Sequence, residues 1–212
     1  MTLFYLLTVL VGAAYVILML FYLYGWNKTS GKLLKPTISS PQVSTSVSIL
    51  IPVRNEENNI RNCLSAIYRQ KFPVQNFEVI VIDDHSTDGT GAILNSLTYS
   101  NLKLFRLAEG QTGKKQAITE GVKNASGNLI ITTDADCEMG ENWLSSIVRF
   151  YEEVVPKMII APVLLQGEKS FSEIMQAQEM TALTACACAS ANLNSPVLCS
   201  GANLAYEKST FL

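Results

Sequence analysis

Histidine occurs once in this chain, at His85, and the five cysteines are an odd number without the spacing of a disulfide framework. Both scarcities exclude chemistry. Cys186 and Cys188 form only a C-x-C, and with Cys199 and His85 they fall short of a zinc set, so they are read as small buried residues. Unpaired cysteines fit a reducing compartment. A marked excess of either charge is also missing: 16 Lys and Arg against 18 Asp and Glu leave a net −2, which argues against a nucleic-acid partner. Two local absences matter more. Residues 3–26 carry no charge, and no Asp follows Asp136.

The uncharged stretch, "LFYLLTVLVGAAYVILMLFYLYGW", is long enough at about 1.5 Å per residue to cross a hydrocarbon core of about 30 Å, with aromatics at both ends. A cleaved signal peptide would need a basic n-region and a shorter apolar run. Lys28, Lys32 and Lys35 follow the span and none precedes it, so the positive-inside rule puts the rest of the chain in the cytoplasm. Residues 1–26 therefore read as a membrane anchor. Residues 27–46, rich in Ser, Thr, Pro and Lys, read as a juxtamembrane linker, and a globular domain occupies 47–212.

Within that domain "VSILIPV" leads through "RNEENNI" to a helix with Ile60, Cys63, Leu64 and Ile67 on one face. The pattern repeats: "FEVIVID" precedes a helix at about 88–97, "LKLFRL" one at about 113–125, and "NLIITTDAD" one at about 141–154. Strands that are apolar throughout, alternating with helices, predict a mainly parallel α/β sheet covered on both faces. A further helix is expected over 171–193, too interrupted by Glu173 and Glu179 to be a second span. Its small residues fit close packing against the sheet, or else a wall of an acceptor site or a surface near the membrane.

Four polar groups then fall after the four strands and so on one edge of the sheet, where ligands bind in such folds. Asp84, Ser86, Asp88 and Gly89 in "DDHSTDGT" match positions 1, 3, 5 and 6 of a calcium loop, but position 12 is Asn95 rather than Glu and an apolar strand precedes it. The plain alternative is a strand-to-helix turn in which Asp88 caps the helix. Asp134 and Asp136, one residue apart after a buried strand, would repel unless a cation lay beside them, and their oxygens suit Mg²⁺ or Mn²⁺. Acids favouring a helix dipole are the competing reading. In "EGQTGKK", Ala108 and Lys115 break a P-loop pattern, yet Lys114 or Lys115 at a helix start is placed for a phosphate. In "PVRNEE", Pro52 is expected to stop the strand and Asn55 to cap the helix, with Arg54 and Glu56 candidates for ligand contact.

Together "SILIPVRNEENNIRNCLSAIYRQ", "EVIVIDDHSTDGT", "GKKQAITEGVKNASGNLIITTDADC" and "CSGANLAYEKSTF" resemble the inverting family 2 glycosyltransferases of GT-A fold, a Rossmann-like nucleotide-diphospho-sugar transferase architecture, over residues 47–212. The resemblance implies a nucleotide-sugar donor, most commonly a UDP-sugar, and a hexosyl transfer by single displacement. Pro52, Val53 and Glu56 would then line the nucleoside pocket, Asp84 would meet the base, and Lys114 would lie near the diphosphate. Asp134 and Asp136 would form the D-x-D that holds a divalent cation, Asp136 as the more direct ligand. A glycan or lipid acceptor and a membrane partner through the N-terminal helix complete the expectation, with no nucleic acid.

The sequence departs from that family in one respect. The catalytic base should be an Asp some two dozen residues after "GANLAY", hence beyond Leu212, and Glu207 is a poor substitute. The expectation is a donor-binding half whose base and acceptor parts lie elsewhere, with a non-catalytic nucleotide-binding subunit as the alternative. A nucleotidyltransferase fits less well, because "PVRNEE" lacks the Gly-rich phosphate loop.

Overall fold

The computed structural model describes residues 1–30, 45–165 and 170–211, so most of the segment read as a linker lies outside the described residues. The chain divides into two units: Met1–Thr37 with Pro162–Ser200, and Ile38–Ala161 with Gly201–Leu212.

The larger unit is built on six strands: β1 (Val47–Val53), β2 (Phe77–Asp83), β3 (Leu102–Arg106), β4 (Leu129–Thr133), β5 (Met158–Ile160) and β6 (Asn203–Glu207), in the spatial order β3-β2-β1-β4-β6-β5. The first four are parallel, as expected, but the edge strand β3 is not apolar throughout: it carries Lys103 and Arg106 and has no fully buried residue. The chain moves outward from β1 to β3, then returns to place β4 on the other flank of β1. That reversal opens a crevice at the carboxyl ends of β1 and β4.

Alternation sorts the strand residues onto two cores. Val47, Ile49, Ile51 and Val53 join Val79, Val81, Leu129 and Ile131 beneath Ile60, Leu64 and Ile67 of α2 (Ile60–Tyr68) and Leu144 and Val148 of α5 (Trp143–Val154). Leu50, Ile80, Ile82 and Ile130 point the other way, against Ala117 and Val122 of α4 (Lys114–Asn124). Each such side chain contributes about 1.5–3 kcal/mol on burial, and two covered faces explain why these strands carry no polar alternation.

The strands' amino-terminal edge is fastened separately. Glu78, 8% exposed, accepts from Ser48 Oγ at 2.5 Å and from the Ser126 N–H at 2.6 Å, and pairs with Lys103 Nζ at 2.6 Å. This ties β1, β2, β3 and the turn before β4 to one carboxylate.

Several local expectations are corrected. Pro52 does not stop β1, which runs on to Val53; the ladder to β4 ends at Leu50, leaving that side of β1 open to a residue without an N–H. Asn55 does not cap α2, which begins at Ile60 after Asn59. The helix after β2, α3 (Thr90–Asn95), is shorter than expected, and Gly89 rather than Asp88 precedes it. Strands β5 and β6 lie beyond the four strand–helix units that the sequence predicts; β6 runs antiparallel between β4 and β5. All five cysteines are free, but Cys199 is exposed and Cys186 and Cys188 are half-buried rather than buried.

The smaller unit contains α1 (Thr2–Ser30) and α6 (Phe171–Asn192), whose start is fixed by a capping box between Ser170 and Glu173. Helix α1 is long and apolar enough over Thr2–Lys28 to cross a membrane, by length and composition. Helix α6 packs along α1.

Candidate functional site

The loops after β1 and β2 are knitted together through backbone N–H groups. Asn55 N–H donates to Ser86 Oγ at 3.0 Å, Glu56 N–H to Thr90 Oγ1 at 2.8 Å and Glu57 N–H to Asp88 Oδ2 at 3.2 Å. In return, Thr87 N–H donates to Asn55 Oδ1 at 2.8 Å and Gly89 N–H to Glu57 Oε2 at 2.7 Å. With these bonds made, Asn55 sits at φ +57° and a turn closed on the Glu56 carbonyl by the Asn59 and Ile60 N–H groups precedes α2. Asp88 therefore does shape the turn, accepting from Thr90 N–H with Oδ1 while Oδ2 holds Glu57, and the Thr90 bonds hold its carboxyl below the usual aspartate range.

Asp84 is the junction of three loops. It is 5% exposed; its Oδ2 accepts from Gly113 N–H at 2.8 Å and Thr112 Oγ1 at 3.2 Å and lies 3.5 Å from the Arg54 guanidinium. Its Oδ1 faces His85 Nδ1 at 3.2 Å. Burial opposes the charge, but Gly113, His85, Thr112 and Arg54 outweigh it and hold Asp84 below the ordinary range, so it is ionised at neutral pH. Gly113 takes φ +97°, a conformation costly for a side chain with a Cβ, and this turns its N–H onto Asp84 as α4 begins.

Lys114 carries the chain of contacts to the fourth loop. Its ammonium lies 2.5 Å from Asp134 Oδ1. Ala135 is buried in the core, so Asp134 and Asp136 flank an anchored residue; Asp134 is half-buried and Asp136 exposed. Cys63 on α2 lies under this loop, its thiol 3.5 Å from the Asp134 carbonyl, and burial with nearby negative charge pushes that thiol up to about 12. It is inert as a nucleophile at neutral pH.

The structure thus brings Arg54, Asp84, Lys114 and Asp134 into one connected rim. Glu56 is half-buried and bonded to Asn59. Pro52 stands near the rim, whereas the Val53 side chain is in the core and its carbonyl accepts from Asp84 N–H at 2.8 Å. Lys115 is exposed. Sequence reasoning assigned no part to Thr112, Gly113 or Gly201. A Cβ on Gly201 would lie 3.6 Å from Lys114 Nζ, and Thr132 Oγ1 donates to the Gly201 carbonyl at 2.8 Å, so the turn before β6 flanks the lysine. The glycine in "SGAN" was the available signal.

Among the described residues no three His, Cys, Asp or Glu side chains cluster as a metal cage. An ion that takes one or two carboxylates and completes its shell with phosphates needs no such cage. Asp136 fits that use: it is exposed, it meets the Cys137 thiol at 3.8 Å, and it has no cationic partner among the described residues.

Known proteins agree with this architecture. The glycosyltransferase AglE of Haloferax volcanii is 38% identical over 100 residues, 46% of this chain and 33% of that protein. The crystal structure of Staphylococcus aureus TarS 1-349 in complex with UDP-GlcNAc superposes with a TM-score of 0.51 at 29% identity, covering 59% of this chain and 36% of the other. The mannosyltransferase PcManGT of Pyrobaculum calidifontis, in complex with GDP-Man and Mn²⁺, covers 94% of this chain and 55% of its own at a TM-score of 0.66, a likeness of fold at 22% identity. The chain spans about a third or less of the length of the curated relatives it matches first. The family model for Glycosyl transferase family 2 matches residues 48–191, and with a GT-A-like sheet beneath that match the chain belongs to this family.

Proposed function

We propose that the chain binds a nucleotide-diphospho-sugar, a UDP-sugar in the first instance, and serves hexosyl transfer with inversion to a lipid or cell-envelope glycan. The observation that carries this reading is the continuous rim from Arg54 and Asp84 through Gly113 and Lys114 to Asp134, at the reversal point of the sheet. In it Asp84 accepts from a ring N–H of the base, beside Pro52 and Glu56, and Val53 contributes by anchoring the strand end that carries Asp84. Lys114 faces the diphosphate from the start of α4, where helix N–H groups also favour an anion. Asp134 and Asp136 hold Mg²⁺ or Mn²⁺, Asp136 more directly. When bound, such an ion screens the charge that develops on the leaving diphosphate.

The donor class is supported by the ligands bound to the structural neighbours, UDP-GlcNAc on TarS and GDP-Man with Mn²⁺ on PcManGT. A lipid acceptor is supported by relatives such as the beta-monoglucosyldiacylglycerol synthase of a Nostoc species, 30% identical over 139 residues. On this reading α1 anchors the chain in a membrane and, by the lysines after it, leaves the larger unit in the cytoplasm.

Titration calorimetry on the full chain in detergent micelles tests the proposal. UDP should bind more tightly with Mn²⁺ than without, and Asp136→Ala should remove only the manganese-dependent part. An affinity of Asp136→Ala for UDP with Mn²⁺ equal to that of the native chain with Mn²⁺ would sink the metal assignment, and no binding of UDP or GDP by the native chain would sink the donor assignment.

A further inference from the structure

Helix α1 is almost bare. Of its described side chains only Met19 and Tyr22 are partly covered and only Gly25 is buried, three positions on one face of its last third. Helix α6 packs along α1, and the approach at Gly25 is close: a Cβ there would lie 2.3 Å from the Ala189 carbonyl oxygen. Glycine and alanine are what allow two helix backbones to come so near.

This contact has a depth. If α1 spans a bilayer with Trp26 at the cytoplasmic boundary, Met19 lies seven residues further in, or about 10 Å at 1.5 Å per residue, within the cytoplasmic half of a core about 30 Å thick. An element that packs along this third of α1 must meet lipid. The sequence of α6 suits that position: after Glu179 no charged residue occurs until Glu207. Within this stretch Leu183, 42% exposed, and Val197, 60% exposed, turn apolar side chains outward, while Ala187, Ala189 and Ser190 are buried. The acids and glutamines of α6, Glu173, Gln176, Gln178 and Glu179, are all confined to its first half.

We propose that the C-terminal half of α6, with the segment that follows it, is a second membrane-contacting element, docked on the cytoplasmic-leaflet third of α1 and covered on its outer side by lipid. The proposal rests on the reading of α1 as a span. It gives the uncharged stretch a physical occupant, since an isolated apolar surface of this kind is otherwise costly in water.

The test uses the full chain in phosphatidylcholine–phosphatidylglycerol vesicles, with Cys137→Ser, Cys186→Ser, Cys188→Ser and Cys199→Ser and one introduced cysteine carrying a nitroxide. Leu183→Cys reports on α6, Leu7→Cys on the bare part of α1, and Lys123→Cys on the surface of α4. Relaxation enhancement by oxygen, which concentrates in lipid, is compared with that by a water-soluble nickel chelate. The proposal expects oxygen to dominate at positions 7 and 183 and nickel at 123. Nickel dominance at 183 with oxygen dominance at 7 would overturn the α6 assignment and leave the span standing. Nickel dominance at both would overturn the span and the proposal with it. Gly25→Leu, which forces the two helices apart, should move position 183 toward the nickel-accessible state while position 7 is unchanged; retained oxygen dominance at 183 would overturn docking on α1.

Discussion

The Lys114 ammonium sits 2.5 Å from the Asp134 carboxylate, so the cation nearest the paired acids is delivered by the first residue of α4. Both side chains are substantially exposed, at 47% and 33%, and such a pair adds little stability. Its consequence is positional: a positive charge is held beside the acids before any ligand arrives.

Lys114→Met should therefore leave the unfolding midpoint nearly unchanged while weakening UDP binding. Hydrogen bonds to charged groups are worth about 1.5–3 kcal/mol, which corresponds to roughly a 10- to 100-fold loss. Uridine, which has no diphosphate, should bind the variant as it binds the native chain. Calorimetry with both ligands checks this, and an equal loss for both would move Lys114 away from the phosphates.

Asn55 joins the first two loops with φ +57°, a backbone conformation that Asn tolerates better than most residues. Its Oδ1 accepts from Thr87 N–H at 2.8 Å. Both Asn55→Gly and Asn55→Ala should lose the bonds from Thr87 N–H and Oγ1, about 1 kcal/mol; the glycine offsets part of that by removing the Cβ at positive φ, whereas the alanine keeps a Cβ there without the amide that lets Asn tolerate the conformation. Urea unfolding of the two variants should rank Gly above Ala; the reverse order would mean that the strain is relieved elsewhere.

Much of this site is legible in the amino-acid sequence. Short apolar runs such as "VIVI" and "LII" announce buried parallel strands, and the acids, lysines and amides placed after them fall on one edge as expected. The start of α2 is not legible, because the loop before it is shaped by bonds from the Asn55, Glu56 and Glu57 N–H groups to Ser86, Thr90 and Asp88, more than thirty residues away. Nor are β5 and β6, of three and five residues, whose pairing is antiparallel and long-range. The partner of α6 is equally hidden. A helix with small residues on every side has no periodic face to announce what it meets, and only the closeness of Gly25 to Ala189 identifies α1.

Val155 ends α5 in a left-handed conformation, φ +50° and ψ +48°, with its N–H bonded to the Tyr151 carbonyl at 2.8 Å. A β-branched residue is a poor occupant of that region, and its side chain is mostly exposed, so little packing depends on it. Val155→Gly should raise stability by about 1 kcal/mol, the relief of the Cβ exceeding the entropic penalty of glycine. Thermal unfolding checks the sign, and a lowered midpoint would show that the valine makes contacts that matter.

Glu78 predicts how the larger unit responds to acid. Burial tends to raise its carboxyl, but Lys103, Ser48 and both the N–H and O–H of Ser126 outweigh that and bring it to about 2. A folded value below the unfolded one means that stability is fully present above the unfolded value, near 4.5, and is lost as pH falls toward about 2. At about 1.36 kcal/mol per unit the shift corresponds to roughly 3 kcal/mol, reduced to about 2 by the half-exposed Lys103. Other carboxylates also titrate in this window, so the informative quantity is the difference between the native chain and Glu78→Gln. Glu78→Gln should be less stable than the native chain at pH 6 and should close most of that gap by pH 3 in urea titrations. A gap that stayed constant across this range would assign the effect to packing and hydrogen bonding around residue 78 rather than to its charge.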